Sequence, residues 1–333
     1  MEANDAYALG HPKIDQLEVK FIPDSNTVIA NLLAGTVDVT LGASFSLENG
    51  RQILGRMPGA GMYLAPRGAI NAFPQFLNTD PPIVLNLQFR RALLHAADRQ
   101  AMVDNLMFGQ TDIAHSFVNP VEAVYRSVES SIVRYDYDQR RAGELVEGLG
   151  YTRGGDGMFR NPAGQTIQLR VDVQGGRGDP TEKSALALVD NWRQVGVDAE
   201  VFVIPTALQD NAEFRSTFPA FDLARRGNYR FSLYSVLGST EAPLPENRFR
   251  GGNRGRYMSA ELDALIERHD GSISERDRNA LLGQIVHHVT DQAVLVGLFF
   301  DLDATVHSER MQNITGFAER TTQAWNAHLW DVK

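Results

Sequence analysis

Four groups of side chains could carry chemistry. Asp301 and Asp303 stand two apart just after an apolar run, so on a strand they share a face. Paired carboxylates in that arrangement could act as general acid and base. Asp136 and Asp138 are spaced alike, but they precede a helical pattern, where a capping role accounts for them. Of the eight histidines only His287 and His288 are adjacent. Neighbours on a helix point about 100° apart and cannot share a metal without distortion, and no His-Glu-x-x-His occurs. The fourth group is the segment Gly227–Tyr257, with five glycines, two prolines, three tyrosines, two phenylalanines and five arginines. A loop this long in a compact domain is functional or mobile. Its tyrosines and arginines suit a small polar ligand. They could also stack on single-stranded nucleic acid, but the acidic balance of the chain favours the first reading.

Other short motifs carry less. Arg177-Gly178-Asp179 makes a turn before Pro180, and Asn313-Ile314-Thr315 is a formal glycosylation acceptor. The glycine clusters have no following Lys-Ser/Thr and do not join a strand to a helix at dinucleotide-binding spacing. No Gly-x-Ser-x-Gly elbow is present. The absence of cysteine rules out disulfides, thiolate metal sites and cysteine nucleophiles. With 41 acidic against 32 basic residues the net charge is −9, which argues against a general nucleic-acid surface. Met1-Glu2-Ala3-Asn4-Asp5 lacks the basic and apolar regions of a secretory signal. The longest apolar run, Ala293 to Phe300, is far short of a membrane span.

The elements that must position these groups can be read from periodicity. Leu17 to Ile22 alternates as a strand, Asp24 or Ser25 can cap a helix over about 26–33, and Val37 to Leu41 is a short strand. This predicts a parallel pair joined by a crossover helix. A second helix follows at 46–57 and an extended stretch at 62–76. Asn78-Thr79-Asp80-Pro81-Pro82 breaks the chain. Helices are predicted at 87–97, after Asp98, after Asp138, at 180–195, near 207–216, at 260–269 and at 275–291. Strands are predicted at 166–173, 197–204, 220–225 and 293–300, with a hairpin around Met158-Phe159-Arg160. The fold class is α/β.

The order of these pieces resembles the family 5 extracellular solute-binding proteins, the binding components of peptide, nickel and related ABC importers. The likeness runs from Ala8 to Val332 and is carried by several stretches in order. They are Lys13-Ile14-Asp15 with Ile22-Pro23-Asp24 and Leu33-Ala34-Gly35-Thr36-Val37-Asp38, then Phe89-Arg90-Arg91-Ala92-Leu93 with Ala97-Asp98-Arg99, and Tyr135-Asp136-Tyr137-Asp138 with Gly150-Tyr151. Trp192 to Val197 follows, and then Gly252-Asn253, Tyr257, Glu261 and Asp263-Ala264-Leu265.

The resemblance implies a two-lobed periplasmic-binding-protein-like fold of the class II (cluster C) type. Residues 1–14 would be a leader, 15–76 and 294–333 part of lobe I with the crossing segments, and 77–293 lobe II. Family members are longer, with a signal and most of lobe I ahead of this point, so the resemblance implies a fragment with lobe I incomplete. It also implies a small-molecule or oligopeptide ligand, a membrane permease as partner and a monomer; the acidic balance speaks against nucleic acid and the scattered histidines against a metal site, and no cofactor is expected. The location implied is the periplasm or the outer face of a bacterial inner membrane. Ligand contacts are expected from Arg225, Asn228, Tyr229, Tyr234, Glu241 and Asn253, with Asn71 and Phe73 at the hinge. Peptide-binding members often place an acid after the strand corresponding to Phe221-Asp222-Leu223. Here Arg225, Arg226 and Arg230 follow instead, which favours a carboxylate or sugar-like hydroxyls over a peptide amino group. Two other classes stay open: a hydrolase using Asp301/Asp303 or Glu241, and an interaction module on the same fold.

Overall fold

A computed structural model describes residues 1–41, 45–175, 180–227, 232–315 and 324–333. Along the chain run α1 Ser25–Leu33, α2 Leu47–Leu54, β1 Gly61–Pro74, α3 Leu87–Ala96, α4 Arg99–Leu106, α5 Tyr125–Val128 and α6 Gln139–Glu147. The hairpin strands β2 Thr152–Arg153 and β3 Phe159–Arg160 follow, then β4 Gln168–Gln174, α7 Thr181–Gln194, β5 Asp198–Ile204, α8 Ala212–Ser216 and β6 Phe221–Arg226. The remainder is α9 Leu233–Leu237, α10 Ala260–Gly271, α11 Glu275–Asp291, β7 Val296–His307, β8 Met311–Gln312 and β9 Asp331–Val332.

Helix starts follow the capping rule closely. Asp24, Ser46, Asn86, Asp98, Asp138, Ser259 and Ser274 each accept a backbone N–H of the first turn. Asp138 therefore has the capping role expected of it. The break at 78–82 contains a cis Asp80–Pro81 bond.

The chain divides into two compact units. The first comprises Met1–Arg67 and Leu302–Lys333, and the second Gly68–Gly176 and Thr181–Asp301. Strands β1 and β7 each belong to both.

In the first unit, Ile29, Leu32, Phe45, Ile53, Ala304 and Val306 form one core cluster and Met311, Ile314 and Trp330 another. The expected parallel pair does not form. Leu17 exchanges hydrogen bonds with Met1, but beyond it the stretch to Ile22 forms no strand, and Phe21 is 93% exposed. Val39 instead bridges His307 in the antiparallel sense, and the Thr40 N–H donates to Val306 O at 2.8 Å. Alternation marks a segment fit for a sheet face; a strand forms only where a neighbour completes the ladder. The last predicted strand is longer than expected, because β7 continues past Phe300 to His307.

The second unit is built on a sheet in the order β5-β4-β6-β1-β7. Strands β5, β4 and β6 are parallel, and β1 runs antiparallel to β6. Alternation sorts the two faces. Val171 and Phe221 are in register on one face, where Trp192 of α7 packs 5.0 Å from Phe221 and donates its indole N–H to Leu93 O. Asp172 and Asp222 are in register on the other. A second cluster joins Phe73, Phe117 and Leu233 to the apolar sides of α10 and α11. Gly68 has φ +121°, and a Cβ there would lie 2.0 Å from Arg226 O, so only glycine lets β1 approach the end of β6 this closely. Among the described residues no helix is long and apolar enough to cross a membrane.

Candidate functional site

The irregular segment after β6 is held to the sheet of the second unit by its own polar side chains. Asn253 is buried; its amide N–H2 donates to the carbonyls of Leu237, Gly238 and Tyr257, and its Oδ1 accepts from the Tyr257 N–H. This one side chain closes a turn that has no regular ladder to hold it. Arg254 forks onto Asp222, Nε to Oδ2 at 2.8 Å and Nη2 to Oδ1 at 3.2 Å, and Arg215 approaches the same carboxylate at 3.7 Å. Arg256 donates to Gln75 Oε1 and Leu77 O, both at 2.9 Å. The arginines of this segment that look ligand-facing in the sequence are in these two cases its anchors.

The expected contact residues separate accordingly. Tyr234 lies on α9, exposed, with its hydroxyl 2.6 Å from Thr240 Oγ1. Glu241 ends a 3-10 turn and is half-buried. Asn253 is in the turn just described. Asn228 and Tyr229 lie outside the described residues, as does the Arg177-Gly178-Asp179 tripeptide. Arg225 lies on β6 and donates from Nη1 to Asp301 Oδ2 at 2.9 Å, with the two side chains 15% and 4% exposed. Asp303 meets Arg67 Nη1 at 2.9 Å. The carboxylates at 301 and 303 therefore do share a strand, but each faces its own guanidinium, and no bare acid–base pair is formed.

Asn71 and Phe73 are on β1 beyond the Arg67/Gly68 change of unit, inside the sheet. Asn71 is buried and donates to Ala69 O, and Phe73 belongs to the core. In register with β6, residues 69, 71 and 73 share a face with Arg226, Ala224 and Asp222.

Burial dominates the electrostatics. Asp172 is held by Arg170, at 2.6 Å from Nε, yet burial pushes its carboxyl above the ordinary range, with the neighbouring Asp222 charge acting in the same direction. Arg90, of the Phe89-Arg90-Arg91 motif, is buried with four backbone carbonyls around it, those of Val84, Leu85, Gln292 and Ala293, and burial lowers its pKa to about 10. A small cavity of about 20 Å³ is lined by Asn71, Arg99, His115, Tyr135 and Thr290 among others. Burial and the Arg99 charge lower the His115 pKa to about 4, so its ring is neutral near pH 7. His288 meets Tyr257 through Nε2, while His287 Nδ1 faces Ser131 O, so the adjacent histidines turn apart. Among the described residues no three metal-ligating side chains gather.

Comparison with known proteins bears on the whole arrangement. The family described as bacterial extracellular solute-binding proteins, family 5 (middle) matches residues 1–244. Heme-binding protein A of Haemophilus influenzae is 23% identical over 296 residues, covering 86% of this chain and 49% of that protein. The oligopeptide-binding protein AppA of Bacillus subtilis is 21% identical over 330 residues, covering 95% of this chain and 56% of its own. The chain thus spans about half the length of the curated relatives it matches. The structure of NikZ from Campylobacter jejuni in complex with Ni(L-His) superimposes with a TM-score of 0.77 at 19% identity, over 100% of this chain and 64% of that one, which shows the shared fold.

Proposed function

The chain belongs to the family 5 bacterial extracellular solute-binding proteins, and we propose that it serves as the substrate-binding component, or part of one, of an ABC importer. In this reading it holds a small polar solute and does not transform it. The observation that carries the reading is the family match over residues 1–244. The ion pairs at Asp301 and Asp303 support it against hydrolysis, because a carboxylate held by a buried guanidinium is poorly placed to exchange protons with a substrate.

The partner is then a membrane permease, and the location the periplasm or the outer face of the inner membrane. Of the expected contact residues, Tyr234 is exposed and Glu241 half-buried, so their side chains are available to a solute; Asn228 and Tyr229 are carried forward with them. Arg225 and Asn253 act behind these groups by holding β6 and the segment in place.

The test is a thermal-shift screen of the purified chain against triglycine, a nickel–histidine complex, hemin and simple sugars, with products assayed in parallel. Stabilisation by one class without turnover is the expected result. Turnover of any of them, abolished by Asp301→Asn, would overturn the reading in favour of a hydrolase.

A further inference from the structure

The second unit carries a groove of about 990 Å³ to which the irregular segment contributes no residue. Asp80, Pro81 and Pro82 line it from the break before α3, Tyr151 from the stretch after α6, and Thr166 and Gln168 from the entry to β4. The volume stands at the upper end of what small-ligand sites enclose.

The lining is fixed before any ligand arrives. The Asp80 N–H donates to Pro219 O at 2.9 Å, and the two prolines that follow have φ set by their rings. The turn into β4 is closed by Asn161, whose Oδ1 accepts from the N–H groups of Ala163 and Gln165 at 3.0 Å and whose Nδ2 donates to Gln165 Oε1 at 2.9 Å. Arg160 is the one cation in the lining, and its fork lies on Asp156 with both contacts at 2.7 Å. A site already held in shape loses little freedom on binding.

What the groove leaves for a ligand is chemically narrow. The Asp80 carboxylate, the Tyr151 and Thr166 hydroxyls and the Gln168 amide have no hydrogen-bond partner among the described residues. An anionic ligand would meet Asp80 and no unanswered cation, in a chain of net charge −9. An added peptide strand would find little backbone to pair with. Pro81 and Pro82 have no N–H, Gln165 O already accepts the Asn161 N–H, Thr166 bridges Arg160 and Gln168 pairs with Asp198. A sugar hydroxyl both donates and accepts, so a carboxylate, an amide and a hydroxyl can each answer one. The apolar C–H face of a sugar ring suits the flat apolar body of a tyrosine or a proline.

We propose that this groove is a second binding site and that it takes a neutral oligosaccharide, with Asp80, Thr166 and Gln168 answering hydroxyls and Tyr151 offering a stacking face. The inference stands apart from the solute-binding reading and uses none of the residues assigned to it.

The experiment uses the whole chain and defined probes: maltohexaose, cellohexaose and chitohexaose, against hexagalacturonate and penta-alanine. Calorimetric affinity is measured for the wild type, Asp80→Asn, Tyr151→Ala and Tyr234→Ala. The Gln168 side-chain N–H2 resonances of the wild type are followed by ¹⁵N NMR, which needs no variant to fold. At least one neutral hexaose should bind and shift those resonances. Its affinity should fall about tenfold or more in Asp80→Asn, several-fold in Tyr151→Ala and not at all in Tyr234→Ala. Binding that Tyr234→Ala weakens and Asp80→Asn does not would place the sugar with the solute residues and overturn the assignment. Gln168 shifts caused by penta-alanine or hexagalacturonate in place of the neutral sugars would overturn the ligand class. If none of the three neutral hexaoses moves the Gln168 resonances, the proposal falls, and solute binding through the irregular segment is left as it was.

Discussion

Removing the Arg254 side chain should expose how far the irregular segment depends on one buried ion pair. Asp222 is 2% exposed at its side chain and Arg254 10%. Breaking such a pair from one side leaves an uncompensated buried charge, which costs about 3–5 kcal/mol. Arg215, 3.7 Å from the same carboxylate, stays behind as a weaker partner, so the expected cost of Arg254→Met is near the lower limit, about 3 kcal/mol. For a unit of this size that corresponds to a fall in melting temperature of about 6–12 °C. The assay is urea unfolding followed by the emission of Trp192, which is buried in the same unit. The double variant Asp222→Asn/Arg254→Met removes the stranded charge and should regain a substantial part of the loss. A cost below about 1 kcal/mol for Arg254→Met, or a double variant no more stable than the single one, would refute the claim that the pair fastens the segment to the sheet.

Three further outcomes follow from the geometry. His115 has a folded-state pKa of about 4 against 6.5 for the unfolded chain. Its contribution is therefore full above pH 6.5 and is lost as pH falls toward 4, at most about 3 kcal/mol; His115→Gln should flatten the stability–pH curve in that window, and parallel curves would contradict the burial. Asp38 lies below the ordinary carboxylate range because Arg310 grips both its oxygens at 2.5 and 2.6 Å, with Ser308 assisting. That contribution is present above the unfolded pKa and is lost as pH falls through the lower folded one, so Asp38→Asn should cost about 1 kcal/mol at pH 7 and nothing near pH 2, as read by thermal melts. Gly68→Ala should lower stability by at least about 1 kcal/mol, since the new Cβ meets a backbone carbonyl at a positive φ; circular dichroism melts equal to wild type would mean that β1 can retreat from β6.

Much of the fold is legible in the sequence because its signals are local. Asp24, Ser46, Asp98 and Asp138 stand where a helix must begin, and their side chains do cap it. The alternation through Leu169, Val171 and Val173 is the buried side of β4. Leu17 to Ile22 carries the same kind of pattern and forms no strand, because pairing depends on a neighbour that a local pattern cannot specify. Val39 shows the converse, a partner in β7 supplied by a segment nearly the whole chain away.

The site was legible only as a region, and the reason is physical. A guanidinium reads the same in sequence whether it will face a solute or a carboxylate of its own fold. Arg225 and Arg226 are neighbours with one chemistry, yet strand alternation sends them to opposite faces. One face brings Asp301 from 76 positions away, and the other brings the ring of Phe73. Arg254 and Arg256 repeat this: Asp222 and Gln75 come within reach only through the register of β1 and β6. The family-like stretches behave similarly, since Arg90 and Asn253 turn out to fasten backbone and Asp38 to hold the Arg310 side chain. Such fasteners keep one sheet and one loop in place while the groups around them differ, which is how a single scaffold can serve unlike solutes. The residues that distinguish one member's ligand from another's should then be those the fold does not use to fasten itself.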